Sequence, residues 1–78
     1  MTPADVTQKV LELARRRFPG SEALTADADL FTSLGIDSVQ ALELLTELER
    51  TFGVEVPDYE LLDVRTFADL AQRVSARL

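Results

Sequence analysis

Apolar residues recur at intervals of three and four along several stretches of the chain, which is the period of an amphipathic helix. The first stretch predicts a helix from Pro3 to Arg17. Thr2 supplies a hydroxyl cap before this helix, and Pro19 and Gly20 end it. Its apolar stripe comprises Val6, Val10, Leu13 and Ala14, widened by Leu11 and Phe18.

A second helix is predicted from Asp37 or Ser38 to about Thr51. Gly53 closes it. Asp37 and Gln40 stand in a capping-box relation, in which the acid accepts from the third backbone amide and the Gln40 side chain reaches back to the cap. The start of this helix is therefore expected to be held firmly. Its expected core face consists of Leu42, Leu45, Leu48 and Phe52.

Two shorter helices are predicted after the second one. A short third helix over residues 59–63 presents Leu61 and Leu62. Thr66 caps a fourth helix. The Val54–Val56 segment has no second strand with which it could pair, so we interpret it as an apolar tether that packs into the core. The apolar residues of the fourth helix are Phe67, Leu70, Ala71, Val74 and Leu78.

Residues 19–36 show no periodic pattern and form a long connection. Asp27 and Asp29 could cap a short turn around residues 30–34. The predicted fold class is all-α, a four-helix bundle with a short third helix and a long loop between helices one and two. A single domain is expected over residues 1–78. The expected anchors of the loop are Leu24, Leu30, Phe31 and Leu34.

Composition narrows the functions that such a bundle could have. With 78 residues the chain can build one modest core, which leaves no layer for a deep active site. It has neither cysteine nor histidine, so thiolate nucleophiles, sulfur-ligated metals and histidine bases are excluded. The formal net charge of -6 argues against nucleic acid and anionic membranes, and for basic protein surfaces as partners.

Neither a membrane span nor a signal segment is evident. No apolar run approaches the roughly 20 residues that a membrane helix needs, and the start of the chain lacks a hydrophobic signal core. We therefore expect a cytoplasmic protein, and because the chain begins with Met1 we expect it to be free-standing. We also expect a monomer, because one shared core leaves little apolar surface for self-association.

The strongest candidate for chemistry is the serine at the start of the second helix. Ser38 follows a long loop and Gly35, so its hydroxyl is expected to face solvent. Free amides and the positive end of the helix dipole would favour a phosphate on that oxygen. Serine is also a common helix cap, so Ser38 alone establishes no function. Glu43 and Glu47 lie on the polar face that begins at Gln40, and they predict an acidic ridge below the serine.

The segment GIDSVQALEL at residues 35–44 resembles the attachment motif of the acyl carrier protein family. That motif is a glycine, any residue, Asp-Ser, a hydrophobic residue, two variable positions, a hydrophobic residue and Glu-Leu. The resemblance extends over nearly the whole chain. It includes the Leu-Phe-x-x-Leu-Gly segment at 30–35, Phe-Gly at 52–53, Val-Glu-Val-Pro-Asp at 54–58 and Thr-Phe at 66–67.

The resemblance implies that a phosphopantetheinyl transferase moves the phosphopantetheine of coenzyme A onto Ser38, and that the terminal thiol of the arm holds an acyl group as a thioester. Ser38 would then be a modification site on a non-catalytic carrier. Asp37 would cap the helix and contact the modifying enzyme. Val39 would touch the arm and the partner, while Glu43 and Glu47 would form a docking ridge for basic patches on acyl-loading and synthase enzymes.

Some positions depart from the family pattern. Carriers of primary fatty acid synthesis usually have Leu-Asp after the serine, where this chain has Val39 and Gln40, and Arg50 stands where an acid is common. We infer a fatty-acid-like or polyketide-like specialised pathway. Two alternatives are an aminoacyl or peptidyl carrier, which fits Ile36-Asp37 less well, and an acidic helical adaptor that is never modified.

The run of arginines at 15–17 is interpreted as complementing the negative end of helix one.

Overall fold

The computed structural model describes residues 2–21 and 23–78, which form a bundle of helices. These residues contain no strand, only an isolated bridge between Asp29 and Thr66, so the all-α prediction is confirmed. The prediction of one domain over residues 1–78 includes Met1 and Glu22, which lie outside the described residues. The elements are α1 (Pro3–Arg17), α2 (Leu30–Leu34), α3 (Ser38–Phe52), a 3-10 helix (Asp58–Asp63) and α4 (Phe67–Ser75).

Reciprocal hydrogen bonds three residues apart determine where α1 and α4 begin. The Thr2 hydroxyl accepts from the backbone N–H of Asp5 at 3.2 Å, and the Asp5 carboxylate accepts from the N–H of Thr2 at 3.1 Å. Thr66 and Asp69 make the same pair of bonds before α4, at 3.1 and 3.2 Å. Because both partners of each box lie within one turn, the local sequence fixes these helix starts.

A fifth helical segment, α2, occupies the part of the long loop that was expected only as a turn. Asp29 caps it, since the carboxylate accepts from the N–H groups of Phe31 at 3.0 Å and Thr32 at 2.7 Å. Gly35 ends it with a φ of 64°, a left-handed conformation that a residue with a side chain rarely adopts. The four-helix prediction therefore missed one element, because five residues are too few to show a helical period.

The segment before α2 is tied to the start of α4. The N–H of Leu30 donates to the carbonyl of Arg65 at 2.7 Å, and the N–H of Ala68 donates to the carbonyl of Ala26 at 2.9 Å. Leu24 and Leu30 are buried, whereas the other two expected anchors, Phe31 and Leu34, are half-buried. The connection between α1 and α3 is thus anchored at several points along its length.

Helix α1 lies against α4 and α3, and the three helices share one core. On α3 the predicted core face was partly wrong. Leu45 and Leu48 are buried as expected, but Leu42 and Phe52 are only half-buried. Leu42 is turned toward the 3-10 helix, and Phe52 lies at the end of α3. The buried face of α3 consists of Ala41, Leu44, Leu45 and Leu48.

Two predictions for the third and fourth helices were wrong: Leu62 and Leu78 are not packed against the core. Leu61 is buried in the core, but its neighbour Leu62 is exposed. A 3-10 helix has three residues per turn, so adjacent side chains diverge by about 120° and only one of the two can face the core. Helix α4 ends at Ser75, and Leu78 is exposed beyond it rather than continuing the apolar stripe. Within the described residues, no helix has the length and apolar character to cross a membrane.

Glu60 holds the 3-10 helix against α4. Its side chain is buried, and its carboxylate accepts from Arg73 at 3.2 Å and also from Arg77. A buried carboxylate is unfavourable without such partners, so both arginines are needed to stabilise it there. The preceding tether is confirmed: Val56 is buried, and its N–H donates to the Glu49 carboxylate at 2.9 Å.

Replacing Glu60 with Gln is expected to lower the free energy of unfolding by about 1–3 kcal/mol, because a buried charge pair is broken. Chemical denaturation measures the change. Glu12→Gln is the matched control, since Glu12 also pairs with two cations, Lys9 and Arg16, but on an exposed helix surface. That control should cost at most about 0.5–1 kcal/mol. Equal losses in the two variants would contradict the role of the Glu60 pairs.

Three capping carboxylates make the fold sensitive to acid. The N–H groups of Arg65 and Thr66 hold the pKa of Asp69 below its usual value of 3.8. The N–H of Thr2 likewise lowers the pKa of Asp5, and the N–H of Thr32 lowers that of Asp29. Because each folded pKa lies below the unfolded one, the ionised groups stabilise the fold at pH values above 3.8, and this stabilisation is lost as the pH falls through the folded pKa.

The free energy of unfolding should accordingly decrease as the pH is lowered from about 5 through the unfolded pKa of the carboxyls. Asp69→Asn should reduce the steepness of this decrease, because one of the three titrating caps is removed. Denaturation at a series of pH values measures both effects. Asp63→Asn, an exposed acid outside the caps, is the control. An unchanged pH dependence in Asp69→Asn would show that the cap contributes nothing to acid sensitivity.

Candidate functional site

Ser38 is the first residue of α3 and is exposed. Asp37 precedes it as the cap: its carboxylate accepts from the N–H of Gln40 at 2.9 Å, and the Gln40 side chain accepts from the N–H of Asp37 at 3.2 Å. The predicted capping box is therefore confirmed. It fixes the first turn of α3, so the hydroxyl of Ser38 is presented from a rigid backbone.

Two backbone donors beside the serine are left free by the capping box. In the described part of the chain, the amides of Asp37 and Gln40 are engaged in the box, whereas those of Ser38 and Val39 make no hydrogen bond. Both free amides lie at the positive end of the α3 dipole. An anionic phosphate ester on the Ser38 oxygen would therefore be stabilised by its surroundings.

An apolar groove opens next to Ser38. It has a volume of about 300 Å³ and lies between α2, α3 and the 3-10 helix. Ser38 stands at its rim, and its walls are mainly apolar. A flexible arm attached to the serine could therefore lay an apolar group along this groove. The apolar walls are formed by Phe31, Leu42, Tyr59, Leu61 and Leu62, and Asp58 is the acidic residue of the lining.

Three large apolar side chains are exposed on the elements that flank the serine. Val39 is 62% exposed, Tyr59 is 66% exposed and Leu62 is 87% exposed. Val39 is accessible to solvent, and its contact with the arm and with partners stays a prediction. Tyr59 and Leu62 were missed as surface residues, because the pattern of a six-residue segment does not reveal which side of a 3-10 helix faces the core.

Glu43 and Glu47 lie on the exposed side of α3, but they do not form the open acidic ridge that was expected. The guanidinium of Arg17, the last residue of α1, spans both: its Nη2 lies 2.9 Å from Glu43 and its Nη1 lies 3.1 Å from Glu47. Arg50 borders the same surface. The arginine run was interpreted only as complementing the end of α1, because nothing in its local sequence reveals a partner 26 or 30 residues away.

The structure thus brings Ser38, Asp37 and Val39 together at one end of α3, with the groove beside them. Glu43 and Glu47 follow one and two turns further along the helix, already paired with Arg17. The combination of an exposed hydroxyl, free amides and an apolar groove suits covalent attachment of a phosphate-linked arm. The full sequence contains no histidine, so Ser38 cannot belong to a serine–histidine–acid triad.

Comparison with known proteins identifies the family of the chain. The family model described as a phosphopantetheine attachment site matches residues 5–74. An acyl carrier protein of Rickettsia bellii is 31% identical over 71 residues, which cover 90% of this chain and 83% of that protein. The anthracycline acyl carrier protein DpsG of Streptomyces peucetius is 46% identical over 55 residues, which cover 68% of this chain and 66% of that protein. The chain therefore belongs to the acyl carrier protein family and is a carrier with covalently attached 4'-phosphopantetheine.

Proposed function

We propose that Ser38 is the residue to which the phosphopantetheine arm is attached. The family is one of carriers that are generally non-catalytic, so the hydroxyl acts as the acceptor in a reaction catalysed by another protein. The observation that carries the proposal is the position of Ser38: exposed, first in α3, held by the Asp37–Gln40 capping box and next to an apolar groove. The arm supplies a terminal thiol, which holds an acyl group as a thioester.

The proposed attachment is a transfer from coenzyme A. The Ser38 oxygen forms a new bond to the phosphorus next to the pantetheine, and the bond from that phosphorus to the bridging oxygen of the pyrophosphate breaks. The nucleotide part of coenzyme A leaves as a bisphosphate, and the hydroxyl proton goes to a base of the transferase. The free amides of Ser38 and Val39 favour the phosphodiester that results.

We further propose that partners dock around the start of α3. They would be a phosphopantetheinyl transferase and the acyl-loading and synthase enzymes that use the arm. Val39 offers an exposed apolar contact directly after the attachment residue. Glu43 and Glu47, which pair with Arg17 in the free protein, would pair with basic patches on these enzymes, and such contacts affect the rate of encounter more than the tightness of binding. That suits a carrier, because it must leave each partner before it reaches the next.

We assign the carrier to a specialised, polyketide-like pathway. This assignment is supported by the 46% identity with the anthracycline carrier of S. peucetius and by the Val39-Gln40 pair after the serine. The groove beside Ser38 is open at the surface rather than enclosed, so an acyl chain laid in it would stay partly exposed to solvent and to partners.

Treatment with coenzyme A and a broad-specificity phosphopantetheinyl transferase should raise the intact mass of the protein by one phosphopantetheine. The Ser38→Ala variant, treated identically, should keep its translated mass. Intact-protein mass spectrometry distinguishes these outcomes, with another carrier as a positive control for the transferase. An unmodified wild type would favour the unmodified helical adaptor, and a modified Ser38→Ala variant would place the arm on another residue.

The two roles of Asp37 can be separated with a pair of variants. Asp37→Ala removes the cap acceptor and should cost about 1 kcal/mol of unfolding free energy. Asp37→Asn keeps an acceptor but loses the charge, so its stability should remain within a few tenths of a kcal/mol of the wild type. If capping is the main contribution, Asp37→Asn should be modified as fast as the wild type. A tenfold slower transfer to a stable Asp37→Asn protein would instead assign the carboxylate a direct contact with the transferase.

A further inference from the structure

Arg17 occupies the part of α3 to which basic partners would bind. One planar guanidinium contacts two carboxylates that lie one helical turn apart, Glu43 at 2.9 Å and Glu47 at 3.1 Å. The three side chains are partly exposed, at 34% for Arg17, 53% for Glu43 and 34% for Glu47. The contact therefore lies at the surface, where another cation could reach the same oxygens.

The local charge of this surface differs from that of the whole chain. Although the chain carries a net charge of -6, the surface formed by Glu43, Glu47, Arg17 and Arg50 has two acidic and two basic side chains, and is neutral. An approaching basic patch therefore meets an intramolecular cation rather than an uncompensated acidic ridge. Long-range attraction toward this part of α3 is reduced accordingly.

We propose that Arg17 determines which basic partners can dock on α3, by competing with them for Glu43 and Glu47. This inference rests on the proposed docking function of those two acids. A partner with one isolated cation gains little binding free energy, because its new ion pair with a carboxylate only replaces the ion pair that Arg17 already makes. A partner with two closely spaced cations pairs with each carboxylate separately and releases Arg17 to solvent. The pair of acids thus selects for basic patches with at least two adjacent charges.

The strength of the contact suits this exchange. Ion pairs at exposed positions are individually weak, because water screens them and the long side chains lose conformational freedom. Arg17 gains from spanning two carboxylates with the two arms of one guanidinium, a geometry that a lysine ammonium cannot reproduce. The contact is therefore strong enough to compete with a single cation and weak enough for a partner to displace it.

The test compares Arg17→Gln with Arg16→Gln. Both variants lose one positive charge at the end of α1, but Arg16 pairs with Glu12 on its own helix and not with α3. At low ionic strength, kcat/KM for modification by a transferase with a basic docking surface should rise about two- to fivefold more in Arg17→Gln than in Arg16→Gln. The rise should come from KM, with kcat unchanged. The difference should vanish at about 0.5 M salt, where exposed charges are screened.

Two further variants make the result decisive. Arg17→Lys should give a smaller rise than Arg17→Gln, because it keeps the charge but loses the two-armed contact. Adding Glu43→Gln and Glu47→Gln to Arg17→Gln should abolish the rise. Melting temperatures establish that each variant is folded, and if Arg17→Gln is not, the comparison is made between Arg17→Lys and Arg16→Lys, which both keep their charge.

Each remaining outcome has a distinct meaning. Equal kcat/KM values for folded Arg17→Gln and Arg16→Gln proteins would overturn the proposal, and so would a change that is confined to kcat or that persists at high salt. If none of the proteins, wild type included, gains a phosphopantetheine, the failure lies with the attachment function and not with Arg17. Intact mass, recorded in the same reactions, separates these cases.

Discussion

The reciprocal hydrogen bonds between Asp37 and Gln40 hold the first turn of α3, and the placement of the candidate site depends on them. Before this turn, Gly35 ends α2 in a left-handed conformation, and only three residues separate α2 from α3. After it, α3 buries one face in the core, which fixes the rotation of the helix about its axis. Ser38 is consequently both exposed and rigidly held, a combination that suits a residue recognised by a modifying enzyme and then used as the fixed end of a mobile arm.

The groove beside Ser38 depends on interactions that are remote from it in sequence. One wall belongs to the 3-10 helix, whose Leu61 is buried while Tyr59 and Leu62 stay at the surface. That helix is too short to be stable alone, and the buried Glu60 ties it to two arginines of the C-terminal segment. The ion pairs therefore stabilise the fold and also maintain one side of the surface along which a carried group would lie.

The acidic side chains of the protein make different kinds of contact. Asp29 and Asp37 cap helices, Asp5 and Asp69 complete the capping boxes of Thr2 and Thr66, and Glu60 is buried in the bundle. Glu43 and Glu47 are paired with Arg17. A net charge of -6 is thus no measure of the acidity that a partner meets at a particular surface. On α3 the decisive quantity is the local balance of charges, and a single arginine from another helix changes it.

The starts of α1, α3 and α4 and the position of Ser38 were predictable from the sequence, because they depend on residues at most a few positions apart. The capping boxes at Thr2, Asp37 and Thr66 are of this kind, and so is the attachment motif at residues 35–44. Tertiary structure alone decided the rotation of α3, the exposure of Leu62 and the pairing of Arg17 with two acids 26 and 30 residues away. These features depend on how the helices pack against one another, and neither periodicity nor local charge specifies which residues that packing brings together.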